Sequence, residues 1–349
     1  MNTSSFSNIV IRTPNWVGDA VMSTPFIRAV RKNFPHADIT LLAKPWVSPV
    51  YEQNPHITRI LCYEASGRHS GTWGKVCLAK DLRRGHFDLA LLLQNAFEAA
   101  LITWMAGIPA RLGFDTDVRA MLLTHPIHRY KSFKKRHQID YYLEILKGAG
   151  LMADSEHLEI FFSDTEKQKA AQFIADSGCL RNARVIGINP GAAFGTAKRW
   201  FAERYAEVCV RLKSVYPDML FLVFGSPSET GLGETIRRAV GNGCVNLCGK
   251  TSLREAMSLI GCCGLFITND SGLMHVAAAL DTPQIAIFGS TNHTTTFPAS
   301  PFSRIVRSPV PCSPCMKPDC PTDHRCMDAV RVEQVFDLAL TLLNSGKTT

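Results

Sequence analysis

Leu265-Phe266-Ile267-Thr268-Asn269-Asp270-Ser271-Gly272-Leu273-Met274-His275-Val276-Ala277-Ala278-Ala279, with Gln284-Ile285-Ala286-Ile287-Phe288-Gly289 close behind, decides the fold. Leu265–Thr268 is a short apolar run that reads as a strand, Asn-Asp-Ser-Gly interrupts it, and Gly272–Ala279 reads as a helix. A second apolar strand follows at once. Continuous apolar strands joined through helices indicate a parallel sheet covered on both faces.

Working outward, the same alternation fills the second half. Strands are expected at Val185–Asn189, Leu220–Gly225 and Val245–Leu247, and helices at Ala202–Tyr216, Glu229–Val240 and Leu253–Cys262. The first half repeats the pattern, with strands at Ile9–Ile11, Ile39–Ala43 and Leu89–Leu93 and a helix from about Ala20 to Asn33. The expected fold class is therefore α/β, with two Rossmann-like doubly wound domains, 1–170 and 171–349. The polar helix Asp164–Ser177 and the loop through Asn182 mark the expected junction, and Val332–Leu343 reads as a C-terminal helix. In such sheets ligands sit outside the carboxyl ends of the strands, so two domains facing each other would place the active site in the cleft between them.

Composition agrees with a two-domain globular chain. Its 349 residues exceed one typical domain, and 46% hydrophobic against 19% charged residues excludes global disorder. No apolar run approaches the ~20 residues needed to span a bilayer. The start, Met1–Ser7, lacks the charged and apolar regions of a secretory signal, so an intracellular, soluble protein is expected, with reduced thiols such as Cys209, Cys262 and Cys263. The net charge of +8 points to anionic partners. Arg111, Arg119, Arg129, Lys131, Lys134, Lys135 and Arg136 outnumber Asp115 and Asp117 between positions 111 and 137, either as a solvated face or as a surface for an anion. Nucleic acid is disfavoured, because no recognisable module or interleaved stacking aromatics accompany these cations.

Three strand-to-helix turns carry candidate chemistry. In Arg12-Thr13-Pro14-Asn15-Trp16-Val17-Gly18-Asp19 the carboxylate of Asp19 falls near the first turn of a helix, whose dipole keeps it ionised and able to accept a proton. The same residue also suits a plain helix cap. Asn189-Pro190-Gly191-Ala192-Ala193-Phe194-Gly195-Thr196-Ala197-Lys198-Arg199-Trp200 offers small residues, a hydroxyl at Thr196 and a point charge at Lys198, a set that fits a diphosphate but lacks the Walker pattern. In the third, Asn269–His275, Ser271 and Gly272 present backbone N–H groups, His275 lies one turn beyond Ser271, and Asp270 needs a hydroxyl or another donor as partner.

Gly18-Asp19-Ala20-Val21 and Asn269–Ala279, together with Asn189-Pro190-Gly191-Ala192 and Ala197-Lys198-Arg199-Trp200, resemble the ADP-heptose–lipopolysaccharide heptosyltransferases, and nearest among them the heptosyltransferase II group. The resemblance runs in order through nearly the whole chain. It implies a GT-B architecture: an N-terminal acceptor domain, a C-terminal nucleotide-sugar domain and a last helix packing back on the first domain. It makes Asp19 the catalytic base and puts Thr196, Lys198, Asp270, Ser271, Gly272 and His275 in the donor-binding motifs. It further implies inverting transfer from ADP-heptose to the phosphorylated inner core of lipopolysaccharide, the second heptose going onto heptosyl-Kdo2-lipid A. No cofactor is required and no metal ligand is assigned. The protein would act peripherally, at the anionic cytoplasmic face of the inner membrane. The alternatives are another sugar transferase of the family, a nucleotide-sugar 2-epimerase of GT-B-like fold, or a non-catalytic nucleotide- or glycan-binding module in which Asp19 is only a cap.

Cys312-x2-Cys315-x4-Cys320-x5-Cys326, stiffened by prolines, leaves three readings open: structural zinc, a disulfide, or free thiols on a surface connection.

Overall fold

The computed structural model describes residues 6–130, 132, 135–177 and 184–345; Lys131, Lys134 and the loop through Asn182 lie outside the described residues. The chain divides into two compact units, Met1–Phe161 and Phe162–Thr349. Local bonding explains where the division falls. Arg28 ties the segment before it to the first unit, bonding Asp154 at 2.6 Å, Glu159 at 2.7 Å and the carbonyls of Ser155 and His157. Glu166 ties the segment after it to the second, taking two bonds from Arg254 at 2.7 and 2.8 Å. The helix Asp164–Asp176 therefore belongs wholly to the second unit.

The first unit runs β1 (Asn8–Arg12), α1 (Val17–Met22), α2 (Thr24–Asn33), β2 (Asp38–Ala43), β3 (Arg59–Cys62), α3 (Gly71–Arg84), β4 (Leu89–Leu92), α4 (Phe97–Met105), β5 (Ala110–Phe114), β6 (His125–Ile127) and α5 (Gln138–Gly148). Its parallel sheet has the order β3-β2-β1-β4-β5-β6. The second unit runs α6 (Asp164–Asp176), β7 (Val185–Asn189), α7 (Ala202–Val215), β8 (Leu220–Val223), α8 (Thr230–Val240), β9 (Cys244–Asn246), α9 (Leu253–Gly261), β10 (Leu265–Asn269), α10 (Gly272–Ala279), β11 (Gln284–Phe288), α11 (His293–Thr296), β12 (Ser303–Arg307), α12 (Arg325–Asp328) and α13 (Val332–Asn344). Its order is β12-β11-β10-β7-β8-β9. Both orders reverse direction after the third strand of the unit, the next strand returning to lie beside the first, the doubly wound arrangement whose ligand crevice opens where the winding reverses. That point lies between β1 and β4 in one unit and between β7 and β10 in the other.

The long helix expected over Ala20–Asn33 is two helices. Pro25 has no N–H to return to the preceding turn, so the ladder breaks. The hydroxyls of Ser23 and Thr24 fill the gap by donating to the carbonyls of Ala20 and Val21 at 2.7 and 2.8 Å. The C-terminal helix α13 packs on its own unit, where Val332, Val335 and Ala339 join the core built by β7, β8, β10, α7 and α8. No helix among the described residues is long and apolar enough to cross a membrane.

Candidate functional site

In the second unit the two strand ends at the winding reversal are welded by buried asparagines. Asn269 donates to the carbonyls of Pro190 and Gly191 at 2.8 and 3.3 Å, and its oxygen accepts from Trp200 N and the Tyr205 hydroxyl. Asn189 donates to Thr268 Oγ1 at 3.1 Å and to Ser271 Oγ at 2.7 Å. Ser271 is the residue before α10 but does not cap it, so the first-turn N–H groups of this helix have no side-chain acceptor there.

Lys198 and Asp270 meet beside that helix end. Lys198 Nζ lies 2.6 Å from Asp270 Oδ2, and Thr291 Oγ1 donates to the same oxygen at 2.6 Å. The donors that Asp270 requires are therefore Lys198 and Thr291. Thr196 points elsewhere, donating to Asp319 Oδ1 at 2.7 Å. His275 is buried in α10, whereas Ser271 and Gly272 are half-buried. Glu229 supports the loop from below: Oε1 accepts from Ala192 N at 2.9 Å and Oε2 from Ser226 N and Oγ at 2.8 Å. Gly191 is needed there, since a Cβ would overlap the Glu229 carboxylate.

The cysteine-rich segment is more than a surface connection, because it covers two loops of this site. Pro318 O accepts from Ala197 N, Met316 N donates to Ser290 O, and Ser313 Oγ donates to Gly289 O. Gly195, at φ +155°, passes so close that a Cβ would overlap Pro318 O. Cys312, Cys315, Cys320 and Cys326 are free thiols, and among the described residues no group of three or more His, Cys, Asp or Glu is set to hold a metal ion.

In the first unit α1 starts after Trp16, so Asp19 lies inside the first helical turn and is not the N-cap. The buried Tyr142 of α5 donates to Asp19 Oδ1 at 3.1 Å. Burial, and then the neighbouring Asp19 charge, push the Tyr142 phenol well above its usual range, so it stays a donor. The basic stretch is partly structural. Arg119 is buried and bonds Phe114 O, Gln94 O and Asn95 Oδ1, while Arg111 bonds the carbonyls of Leu122 and Ile108. Arg136 pairs with Glu144 at 2.8 Å.

Residues 76–325 match the model of glycosyltransferase family 9 (heptosyltransferase). The chain belongs to glycosyltransferase family 9. This family member is 32% identical over 308 residues to lipooligosaccharide heptosyltransferase 2 of Haemophilus influenzae, covering 86% of this chain and 88% of that one. It is 31% identical to lipopolysaccharide heptosyltransferase 2 of Escherichia coli K12, covering 86% and 87%. Among solved structures, E. coli ADP-heptose lps heptosyltransferase II superposes with a TM-score of 0.81 at 28% identity, covering 97% of this chain and 99% of that chain. The family 9 fold is thus an α/β chain of two doubly wound units.

Within this family 9 chain, residue patterns close to the strand ends pointed to Asp19, Thr196, Lys198, Asp270, Ser271, Gly272 and His275, and the structure pairs Lys198 with Asp270 while Ser271, next in sequence, is held by Asn189. Tyr142, Glu229, Thr291 and Asp319 were not singled out. Each reaches the site from a distant element, and the only local sign is the Ser226–Glu229 spacing, which forms a capping box.

Proposed function

We propose that this protein transfers heptose from ADP-heptose to the inner core of lipopolysaccharide with inversion, adding the second heptose to heptosyl-Kdo2-lipid A. The observation that carries the donor half is the uncapped N-terminus of α10 beside Lys198 at the winding reversal of the second sheet. A helix N-terminus and a fixed ammonium favour a diphosphate. The second unit would hold the ADP-sugar and the first the acceptor. Asp19 takes the proton of the acceptor hydroxyl as its oxygen bonds the anomeric carbon of heptose. The bond from that carbon to the diphosphate oxygen breaks, and ADP leaves with its charge stabilised by Lys198 and the Ser271–Gly272 backbone. Tyr142 orients the carboxylate of Asp19. Thr196 and His275 shape the donor loop and the helix behind it.

The net charge of +8 supports peripheral attachment at the anionic cytoplasmic face of the inner membrane, where the glycolipid acceptor lies. Mass spectrometry of products, after ADP-heptose is offered with a panel of truncated core acceptors, tests the reading. A mass increase of one heptose only on the mono-heptosylated acceptor is expected. No transfer to any member of the panel refutes it.

A further inference from the structure

The carboxyl edge of the first sheet holds two buried cations that the reading above does not use. Arg12 ends β1 and Lys44 directly follows β2, and the two residues are 4% and 7% exposed. Arg12 satisfies its guanidinium locally, on Thr13 O at 2.8 Å, Leu42 O at 3.4 Å and Asn15 Oδ1 at 2.9 Å. Lys44 Nζ makes no hydrogen bond or ion pair among the described residues; it lies 3.4 Å from the Tyr63 ring centre and 5.8 Å from that of Trp46. The nearby carboxylate of Glu98 is already engaged, by the Tyr63 hydroxyl at 2.5 Å and Lys75 at 2.8 Å. Burial, with Arg12 and Lys75 as like-charged neighbours, pushes the Lys44 ammonium down to about 8. The ammonium thus rests on ring faces alone, with its Nζ not sealed from solvent, and keeps its hydrogen-bond donors available to an anion.

Two further contacts connect this cation to the reaction. Trp46 is 52% exposed, and its indole N–H donates to Asn15 O at 2.8 Å. Asn15 therefore touches both Arg12 and Trp46, and it stands two residues before α1, whose first turn carries Asp19. An anion held at Lys44 would be registered against the residue assigned as base.

Resting on the heptosyltransferase reading, we propose that Lys44, with Arg12 behind it, anchors an anionic group of the acceptor glycan, a sugar-borne carboxylate or phosphate monoester. The exposed face of Trp46 packs on the sugar ring that carries it.

Lys44→Met keeps the aliphatic stem between the two rings and removes the charge. It should raise the acceptor KM by about 10- to 100-fold, the size of a lost charge-assisted bond, and leave the KM for ADP-heptose within about threefold. Lys44→Arg should restore most of the loss. Acceptors with the phosphate removed, or with the carboxylate reduced to the alcohol, identify the group: on the acceptor lacking it, wild type and Lys44→Met have equal KM. An unchanged KM on the intact acceptor, or a penalty that persists on both altered acceptors, overturns the proposal. A second measurement needs no variant. Reductive methylation mapped by mass spectrometry should show Lys44 of the wild-type protein protected by the acceptor, and equal labelling with and without it is equally fatal. Failure of the wild type to transfer heptose would refute the reaction, while the protection experiment still reports on Lys44.

Discussion

Lys198 and Asp270 form the pair on which the proposed donor site turns, and replacing them singly and together separates its structural role from its ligand role. Their charged atoms are 2.6 Å apart, on side chains 14% and 5% exposed. At an effective dielectric of about 20 the attraction at that distance is about 6 kcal/mol, most of it offset by removing both charges from water. Lys198→Met leaves a buried carboxylate with Thr291 as its one remaining side-chain donor among the described residues, and breaking such a pair costs about 3–5 kcal/mol. Asp270→Asn should cost less, about 1–3 kcal/mol, because the longer lysine can turn toward water. The double variant removes both charges and should be more stable than the sum of the singles by about 2 kcal/mol or more. Ligand binding should not recover with it. Both variants that lack Lys198 should bind ADP about 10- to 100-fold more weakly and adenosine normally, since the lost partner is the diphosphate. Urea unfolding gives the stability cycle, and calorimetry with ADP and adenosine gives the ligand cycle. Additive stabilities, or equal losses for the two ligands, refute the reasoning.

Asp19→Asn should fold and bind ADP but lose about two to four orders of magnitude in turnover, measured by heptose transfer. Tyr142→Phe should lose about tenfold through a poorly oriented base, with unfolding unchanged within about 1 kcal/mol. Glu166, held at about 2 chiefly by its bonds to Arg254, has a depressed folded-state value. Its contribution is therefore full above the unfolded carboxylate range, near 4.5, and is lost as the pH falls toward 2; Glu166→Gln should flatten that limb of a stability–pH curve. Iodoacetamide should label Cys320, whose thiol is lowered by bonds from Thr322, well before Cys326, which burial raises; mass spectrometry of timed samples checks the order.

Strands buried on both faces were legible as continuous apolar runs: β1, β2, β4, β7, β8, β10 and β11 all fall where the residues place them. The strands that were not legible lie mostly at sheet edges. Arg59-Ile60-Leu61-Cys62 and His125-Pro126-Ile127 are half-buried or exposed, and β12 closes the other sheet with Arg304 and Arg307 in an exposed run, so none needs an unbroken apolar sequence. Ala110–Phe114 is interior, but Arg111 and Gly113 interrupt its run. The same division holds at the site. Asp19, Lys198 and Asp270 stand beside strand ends where local spacing shows them. Tyr142 reaches Asp19 across 123 positions, and Asp319 reaches Thr196 across 123, separations at which a single sequence carries no pattern. Asp19 is not the helix cap for a local reason: α1 begins three residues earlier than the spacing suggests, after Trp16.

The contacts between 195–198 and 316–319 make the loop after β7 and the cysteine-rich segment one heritable block. Ala197 N and Thr196 Oγ1 are matched to Pro318 O and Asp319, and Gly195 tolerates no side chain beneath Pro318. Recombination between family members with a crossover anywhere from 199 to 312 would join one parent's loop to the other's cover. Such hybrids should misassemble at the proposed nucleotide site even when every parental core residue is retained. Productive exchange of donor specificity should instead move both segments together, or cut ahead of Val185.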